Sequence, residues 1–281
     1  MAQNLQQIKK RIKTSKNIFQ IAKAMEMIAA SKIRKAQIAV ERYNPFADRI
    51  MKIVNKILDD KDFSEDIEKF AKKRAGKKMV FIISPDKGLC GGLVVNLLKK
   101  ASSCIEPEDY VVSIGKKASG GALKAGYNIL ASFNAGTSFP KYEDIFPMIN
   151  IASKFYNSGD ITSVLIVYSE FKNKLVQTAS IREVLPIQRD ENYIDNGIDY
   201  IMEPSGRQVL ADLIPYYLEV EFYNAFMNSY ASEQAARMAA MRNAKDNADE
   251  ISASLTNIYN RSRQEKITNE ILDLANGQQG I

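Results

Sequence analysis

The sequence predicts an α/β protein in which long N- and C-terminal helices pair as an antiparallel coiled coil, with a compact α/β domain between them in the chain. Three observations lead there. Residues 3–57 carry apolar side chains at three- and four-residue steps without a single glycine. Residues 207–276 do the same, and the middle of the chain alternates short apolar runs with helical stretches.

In the first segment the stripe runs through Leu5, Ile8, Ile12, Phe19, Ala22, Ala29, Ile33, Ala36, Val40 and Tyr43. Ile18, Ile21, Met25 and Ile28 are expected to widen it. Pro45 is the one proline there and marks a possible bend, after which Phe46, Ile50, Ile53 and Ile57 keep the period. At 1.5 Å per residue such a helix is roughly 80 Å long, too long to lie against its own domain.

The middle segment opens with a charged stretch, 59–77, expected as a loop or short helix. Strands are expected at Met79–Ser84, Tyr110–Ile114, Asn128–Phe133, Ser163–Tyr168 and Leu175–Val184, the last two joined as a hairpin through Lys172–Lys174. Helices are expected at Gly91–Ser103, Lys116–Ala125 and Tyr142–Asn157, the last despite Pro147. This alternation describes a Rossmann-like open α/β domain with a largely parallel sheet and an antiparallel edge.

The third segment is helical, with Pro215 near its start and no glycine until Gly277. Met241, Ala248, Leu255 and Ser262 repeat every seven residues, and Ala244, Ile251 and Ile258 are expected to complete the seam. Small residues fill its middle: Ala231, Ser232, Ala235, Ala236, Ala239 and Ala240. The helix would be roughly 100 Å long. Two such helices leaving one domain pair most simply antiparallel, with a left-handed supercoil. The longer one projects a tip, Ile267–Ile281, whose only charges are Glu270 and Asp273. The expected domains are therefore 1–58, 59–206 and 207–281.

Composition narrows the function. With no histidine, His-based acid/base catalysis and His metal sites are excluded. The two cysteines, Cys90 and Cys104, make neither a CxxC pair nor a disulfide framework, and they suit a reducing compartment. No apolar run is long enough to span a membrane. The N-terminus lacks the pattern of a signal or transit peptide. Residues 1–57 hold 13 Lys/Arg against 3 Asp/Glu, so the remainder of a chain with net charge +6 sums to −4. A basic helix on a mildly acidic body calls for an acidic partner: nucleic acid, anionic lipid or an acidic protein loop.

The chemical candidates are few. Ser84-Pro-Asp-Lys-Gly-Leu-Cys-Gly-Gly92 sits between a strand and a helix, where phosphate loops occur. It matches neither phosphate-loop pattern, so a glycine-requiring turn is the better reading. The same applies to Gly115, Gly120 and Gly121. Cys90 lies near a helix start but has no base beside it and reads as a small buried residue. Asp86 and Lys87 read as a surface turn pair that could face a partner. Basic stretches Lys9–Lys13 and Ser31–Lys35 lack the aromatics or module of a nucleic-acid binder. Arg237, Arg261, Arg263 and Gln264 offer fork-shaped polar groups to a surrounding protein, or to their own helix.

Three segments carry a resemblance. Ile21-Ala-Lys-Ala-Met-Glu-Met-Ile-Ala-Ala-Ser-Lys-Ile-Arg-Lys-Ala-Gln37 closely resembles the first-helix signature of ATP synthase gamma chains. Ser84–Gly92 resembles their central motif. Ala231–Ala244, Asp246–Ala248, Tyr259–Gln264 and Ile267–Ile271 resemble their C-terminal signature, all in the family's order over the whole length. The resemblance implies a central rotor shaft without catalytic residues, cofactor or metal, standing inside a ring of alpha and beta subunits. Its foot rests with epsilon on the membrane ring of c subunits. It also implies that Met25, Lys32, Arg34 and Lys35 lie near acidic loops of beta. Arg237, Gln264, Thr268 and Glu270 would make polar contacts with the ring, and Asp86, Lys87, Gly88, Cys90, Gly91 and Gly92 belong to the foot. Without the cysteine-bearing insertion of chloroplast members, a bacterial form at the cytoplasmic face of the plasma membrane is expected. The alternatives are a basic coiled-coil protein that binds nucleic acid or lipid, and a nucleotide-dependent enzyme built on the α/β domain.

Overall fold

A computed structural model describes residues 5–59, 75–188, 203 and 206–277. Most of the charged stretch at 59–77 lies outside the described residues. The elements follow the order α1 (Leu5–Asp59), β1 (Lys78–Ile83), α2 (Leu93–Ser102), β2 (Tyr110–Ile114), α3 (Lys116–Ala125), β3 (Asn128–Phe133), a 3-10 turn (Tyr142–Ile145), α4 (Phe146–Ser158), β4 (Ser163–Phe171), β5 (Gln177–Leu185) and α5 (Gly206–Gly277). The chain divides into two compact units, Met1–Ala29 with Arg237–Ile281, and Ala30–Ala236.

In the first unit α1 and α5 run antiparallel. Ser15 Oγ donates to the Ala248 carbonyl at 2.7 Å, and eleven residues later Glu26 meets Arg242, further back on the partner helix. The α1 face buries Ile8, Ser15, Ala22 and Ala29, with Leu5, Ile12, Phe19 and Glu26 half-buried between them. Those steps of three and four residues are a heptad seam. On α5 the buried row is Met241, Ala248, Ser252 and Leu255, completed by half-buried Lys245, Tyr259 and Ser262. The seam thus takes Ser252 and Tyr259 where the sequence suggested Ile251 and Ile258, while Ala244 and Lys245 are both half-buried. Ile251 and Ile258 are exposed, as are Ile18, Ile21 and Ile28 on α1. The physical reason is the register. Glu26 Oε1 and Oε2 accept from Arg242 Nε and Lys245 Nζ, each at 2.9 Å, which turns the Lys245 row inward. The hydrogen bond from Arg242, then that from Lys245, holds the Glu26 carboxyl below its ordinary pKa.

The second unit is built on one five-stranded sheet in the order β3-β2-β1-β4-β5. β1 pairs parallel with β2 and β4, β2 pairs parallel with β3, and β4 pairs antiparallel with β5. Both faces of the sheet are covered, so β1 is apolar at every residue from Met79 to Ile83. Val80 and Ile82 face α2 and α3, where Leu97, Ala101, Ala118 and Ala122 are fully buried. Met79, Phe81 and Ile83 face the other way, against Ala47, Ile50, Val54 and Ile57 of α1 and Tyr217, Leu218 and Phe222 of α5. Phe81 meets Phe222 edge-on with ring centroids 4.9 Å apart. The strands thus become the middle of three layers.

Local chemistry explains the element ends. Pro147 falls in the first turn of α4, where its missing N–H has no intrahelical partner to lose. The helix starts at Phe146 and the preceding residues tighten into a 3-10 turn. In the β4–β5 hairpin Asn173 Oδ1 accepts from the amides of Leu175 and Val176 at 2.8 and 2.9 Å, so the strand begins at Gln177 and not at Leu175. Arg182 on β5 donates two bonds of 2.9 Å to Glu221 on α5, which ties the antiparallel edge to the helix layer.

Candidate partner interface

The first unit has an unusual surface. A two-helix pair can bury one stripe per helix, and this one leaves a second apolar row on each. Ile18, Ile21, Met27 and Ile28 of α1 and Ile251 and Ile258 of α5 are exposed, Ile21 and Met27 by more than three-fifths. Met25 is half-buried beside Glu26. Beyond Ser262 every α5 side chain described, through Leu272, is exposed, Ile267, Ile271 and Leu272 included. Gln264, Thr268 and Glu270 lie on this stretch. Thr268 Oγ1 donates to the Gln264 carbonyl at 2.9 Å, and Glu270 pairs with Lys266 at 3.4 Å. Both are contacts within one exposed helix and compete with water, so contacts with another chain can replace them at little cost. Arg261, at 3.0 Å from Glu265, is similar. Arg237 is half-buried.

In the second unit Arg34 and Lys35 are exposed, whereas Lys32 is half-buried and donates to the Thr137 carbonyl at 2.6 Å. The β1–α2 loop is organised by two side chains. Ser84, fully enclosed, accepts the Ala118 amide at 2.7 Å and sits by the Ile114 carbonyl. Asp86 accepts the Lys116 amide at 2.9 Å through Oδ1, and through Oδ1 and Oδ2 the amides of Ala135 and Gly136 at 3.3 and 2.8 Å. Lys87 is exposed, Gly88 half-buried and Cys90 buried. Gly91 adopts φ +57 and Gly92 precedes the first turn of α2 without a side-chain cap. Leu89, exposed and at φ 64, carries the strain that glycine avoids at 91. Gly115 is required sterically: at φ +89, a Cβ there would lie 2.0 Å from the Ser84 carbonyl oxygen.

The structure therefore joins Asp86 to Lys32, two residues selected separately from the sequence, through residues 135–137. Sequence reasoning missed Thr137 and Phe139, because loop residues without periodicity give no signal of what they touch. It also missed Glu26, whose place in an apolar row was the available clue.

Doubly wound sheets bind nucleotides in the crevice at the carboxyl ends of the strands where the order reverses, here between β1 and β4. In this chain α5 fills that crevice. Phe226, Ser229 and Tyr230 stand against Ser84, Pro85 and Ser169, and the space left is about 20 Å³, roughly one water. Ser232 Oγ donates to the Ser169 carbonyl at 2.9 Å and closes it further. Among the described residues there is no cluster of three or more acidic or cysteine groups fit to hold a metal ion. Among them no helix is long and apolar enough to cross a membrane.

The sequence model of the family described as ATP synthase matches residues 4–281. Proteins named ATP synthase gamma chain match nearly end to end. That of Dehalococcoides mccartyi strain CBDB1 is 37% identical over 279 residues, 98% of each chain. That of Brevibacillus brevis is 34% identical over 284 residues, 99% of this chain and 98% of the relative. The chain belongs to the ATP synthase gamma-chain family. Solved structures share its fold. A rotor chain of the Euglena gracilis mitochondrial ATP synthase covers 94% of this chain and 98% of its own length at a TM-score of 0.68 and 20% identity. A chain of the Tetrahymena thermophila central stalk and c-ring structure covers 80% and 99% at a TM-score of 0.62 and 24% identity. As a gamma chain it is a subunit of ATP synthase, and the resemblance drawn from its three motifs holds over its length.

Proposed function

We propose that the chain is the rotating central shaft of its ATP synthase and carries no catalytic group of its own. It couples the turning of a membrane c-ring, driven by proton flow, to conformational changes at the beta-subunit catalytic sites of a surrounding alpha–beta ring. The observation that supports this best is the second apolar row on both helices of the first unit, which the pair itself leaves uncovered. A sleeve of other chains covers such a row. An off-axis pair of helices presents different faces to similar neighbours, which is the differential contact that shifts conformational equilibria.

In this reading the partner face comprises Met25, Arg34 and Lys35 toward acidic loops of beta, and Arg237, Gln264, Thr268 and Glu270 toward the ring. Lys32 stands on the same helix, with its ammonium already bonded to Thr137. The α/β domain, with the Asp86–Gly92 loop, is the foot, which meets epsilon and the c-ring at the cytoplasmic face of a bacterial membrane as a peripheral subunit.

Reconstitution tests this. The chain should co-purify with alpha and beta in a fixed ratio, and Arg237→Ala or Gln264→Ala should lower ATP-driven proton pumping per ATP hydrolysed in inverted vesicles. A chain that purifies free of alpha and beta would refute the shaft assignment, and both variants coupling as the parent does would refute the placing of Arg237 and Gln264 on the partner face.

A further inference from the structure

We infer that residues 134–140, between β3 and α4, form a strap that locks the sheet of the second unit to both long helices, with Asp86 as its anchor and Lys32 as its latch. This rests on the shaft reading, because what the strap holds to the sheet are the parts of both shaft helices that belong to the second unit.

The strap is tied at four points, all within the second unit. Asp86 Oδ2 takes the Gly136 amide at 2.8 Å and Oδ1 the Ala135 amide at 3.3 Å, so the β1–α2 loop holds the strap's start. The same Oδ1 takes the Lys116 amide at 2.9 Å, the first residue of α3, so one carboxylate binds strap and helix layer together. Lys32 of α1 donates to the Thr137 carbonyl at 2.6 Å. Tyr223 of α5 donates from its hydroxyl to the Pro140 carbonyl at 3.3 Å. Between these points Phe139 packs on the edge of Tyr230 at 5.5 Å, in a cluster with fully buried Ala36 and Ala231.

The chemistry suits a joint. A carboxylate that accepts three backbone amides makes charge-assisted bonds, stronger than neutral ones, and fixes a loop that has no strand or helix ladder of its own. The latch is also charge-assisted, from an ammonium to a carbonyl. Each helix is held by a strap carbonyl and by a small-residue or aromatic contact, so neither can slide or twist against the sheet without breaking a hydrogen bond and moving Phe139. Neither Asp86 nor Lys32 is a catalytic residue here: both are positioning residues, acting through the strap.

Two measurements test the strap. The first is amide hydrogen exchange on the full-length chain. Asp86→Ala should speed exchange at Ala135 and Gly136 by at least ~10-fold, while Phe81 and Val112 in the sheet keep their protection. Asp86→Asn, which keeps one acceptor oxygen, serves if the alanine variant does not fold and should give a smaller increase at the same amides. Lys32→Met should speed exchange at Gly136 to Phe139 and Lys32→Arg should restore their protection. Unchanged exchange at Ala135 and Gly136 in both Asp86 variants would overturn the strap. The second is the number of protons pumped per ATP hydrolysed by the assembled enzyme. Phe139→Ala and Asp86→Asn should lower it at least ~2-fold, with the chain still assembled, if loosened contacts become rotor slack. Faster exchange with unaltered coupling would overturn the strap as a coupling joint and leave the shaft reading intact. Absence of coupling in the parent enzyme would instead strike the shaft reading.

Discussion

The ion pair between Arg182 and Glu221 gives the sharpest stability prediction. Arg182 Nε and Nη2 each reach a Glu221 oxygen at 2.9 Å, a bidentate fork between β5 and α5. The two ends differ in environment. The Glu221 side chain is 6% exposed and that of Arg182 48%. Burial pulls the Arg182 pKa down, but the charge and hydrogen bonds of Glu221 outweigh it and leave it raised. Arg182→Met strands a buried carboxylate, for which the loss is about 3–5 kcal/mol when no water enters. Because the guanidinium side is half open, water reaches the vacated position, and the expected loss falls to about 2–3 kcal/mol. Glu221→Gln keeps an acceptor and leaves a cation that faces water, for a loss of about 1–2 kcal/mol. The double variant should lose less than the sum by about 1–2 kcal/mol, the coupling of two groups in contact. Urea unfolding of all four proteins, followed by circular dichroism, measures the cycle. Arg182→Met costing under about 0.5 kcal/mol, or strict additivity, would refute the reasoning, because the pair would then contribute nothing beyond its two separate side chains.

Glu26 supplies a pH test. Its folded pKa lies below the ordinary value through Arg242 and Lys245. A depressed carboxyl contributes stability that is present above the unfolded pKa and lost as pH falls through the folded one. Between neutral pH and strong acid the parent should therefore lose helical stability more steeply than Glu26→Gln, and parallel curves would count against the ion pair. Gly115→Ala should lose roughly 3 kcal/mol or more, since a Cβ at φ +89 meets the Ser84 carbonyl oxygen at 2.0 Å and the backbone must move. A near-neutral effect in urea unfolding would mean that the β1–α2 loop gives way easily. Phe81→Ala, in the fully buried contact with Phe222, should cost about 3–5 kcal/mol, and a loss under about 1 kcal/mol would mean that the core closes over the gap.

By itself the sequence determined the elements and their class. Apolar spacing, glycine-free ends and the alternation of 78–185 are local patterns, and each helix and strand they predict is present, within a few residues at its ends. The shifts at the ends follow side-chain bonds that periodicity does not register, such as the Asn173 turn and Pro147 at the start of α4. The central motif was legible as a glycine-requiring loop, because Gly91 needs a left-handed backbone; Gly115, outside the motif, is needed for close approach to its Ser84.

Only the tertiary structure decided which of two candidate rows on α5 faces α1. Hydrophobicity favoured Ile251 and Ile258 over Lys245 and Ser252, yet the carboxylate of Glu26 and the hydroxyl of Ser15 each needed a partner across the seam, and a buried polar group without one costs more than an exposed isoleucine. The same holds for Asp86 and Lys32. They are 54 positions apart in a chain where neither has a periodic role, and a loop whose residues have no pattern of their own brings them to one strap. Contacts between sequence-distant polar groups depend on where backbones cross, and the order of residues along a single helix or loop does not contain that information.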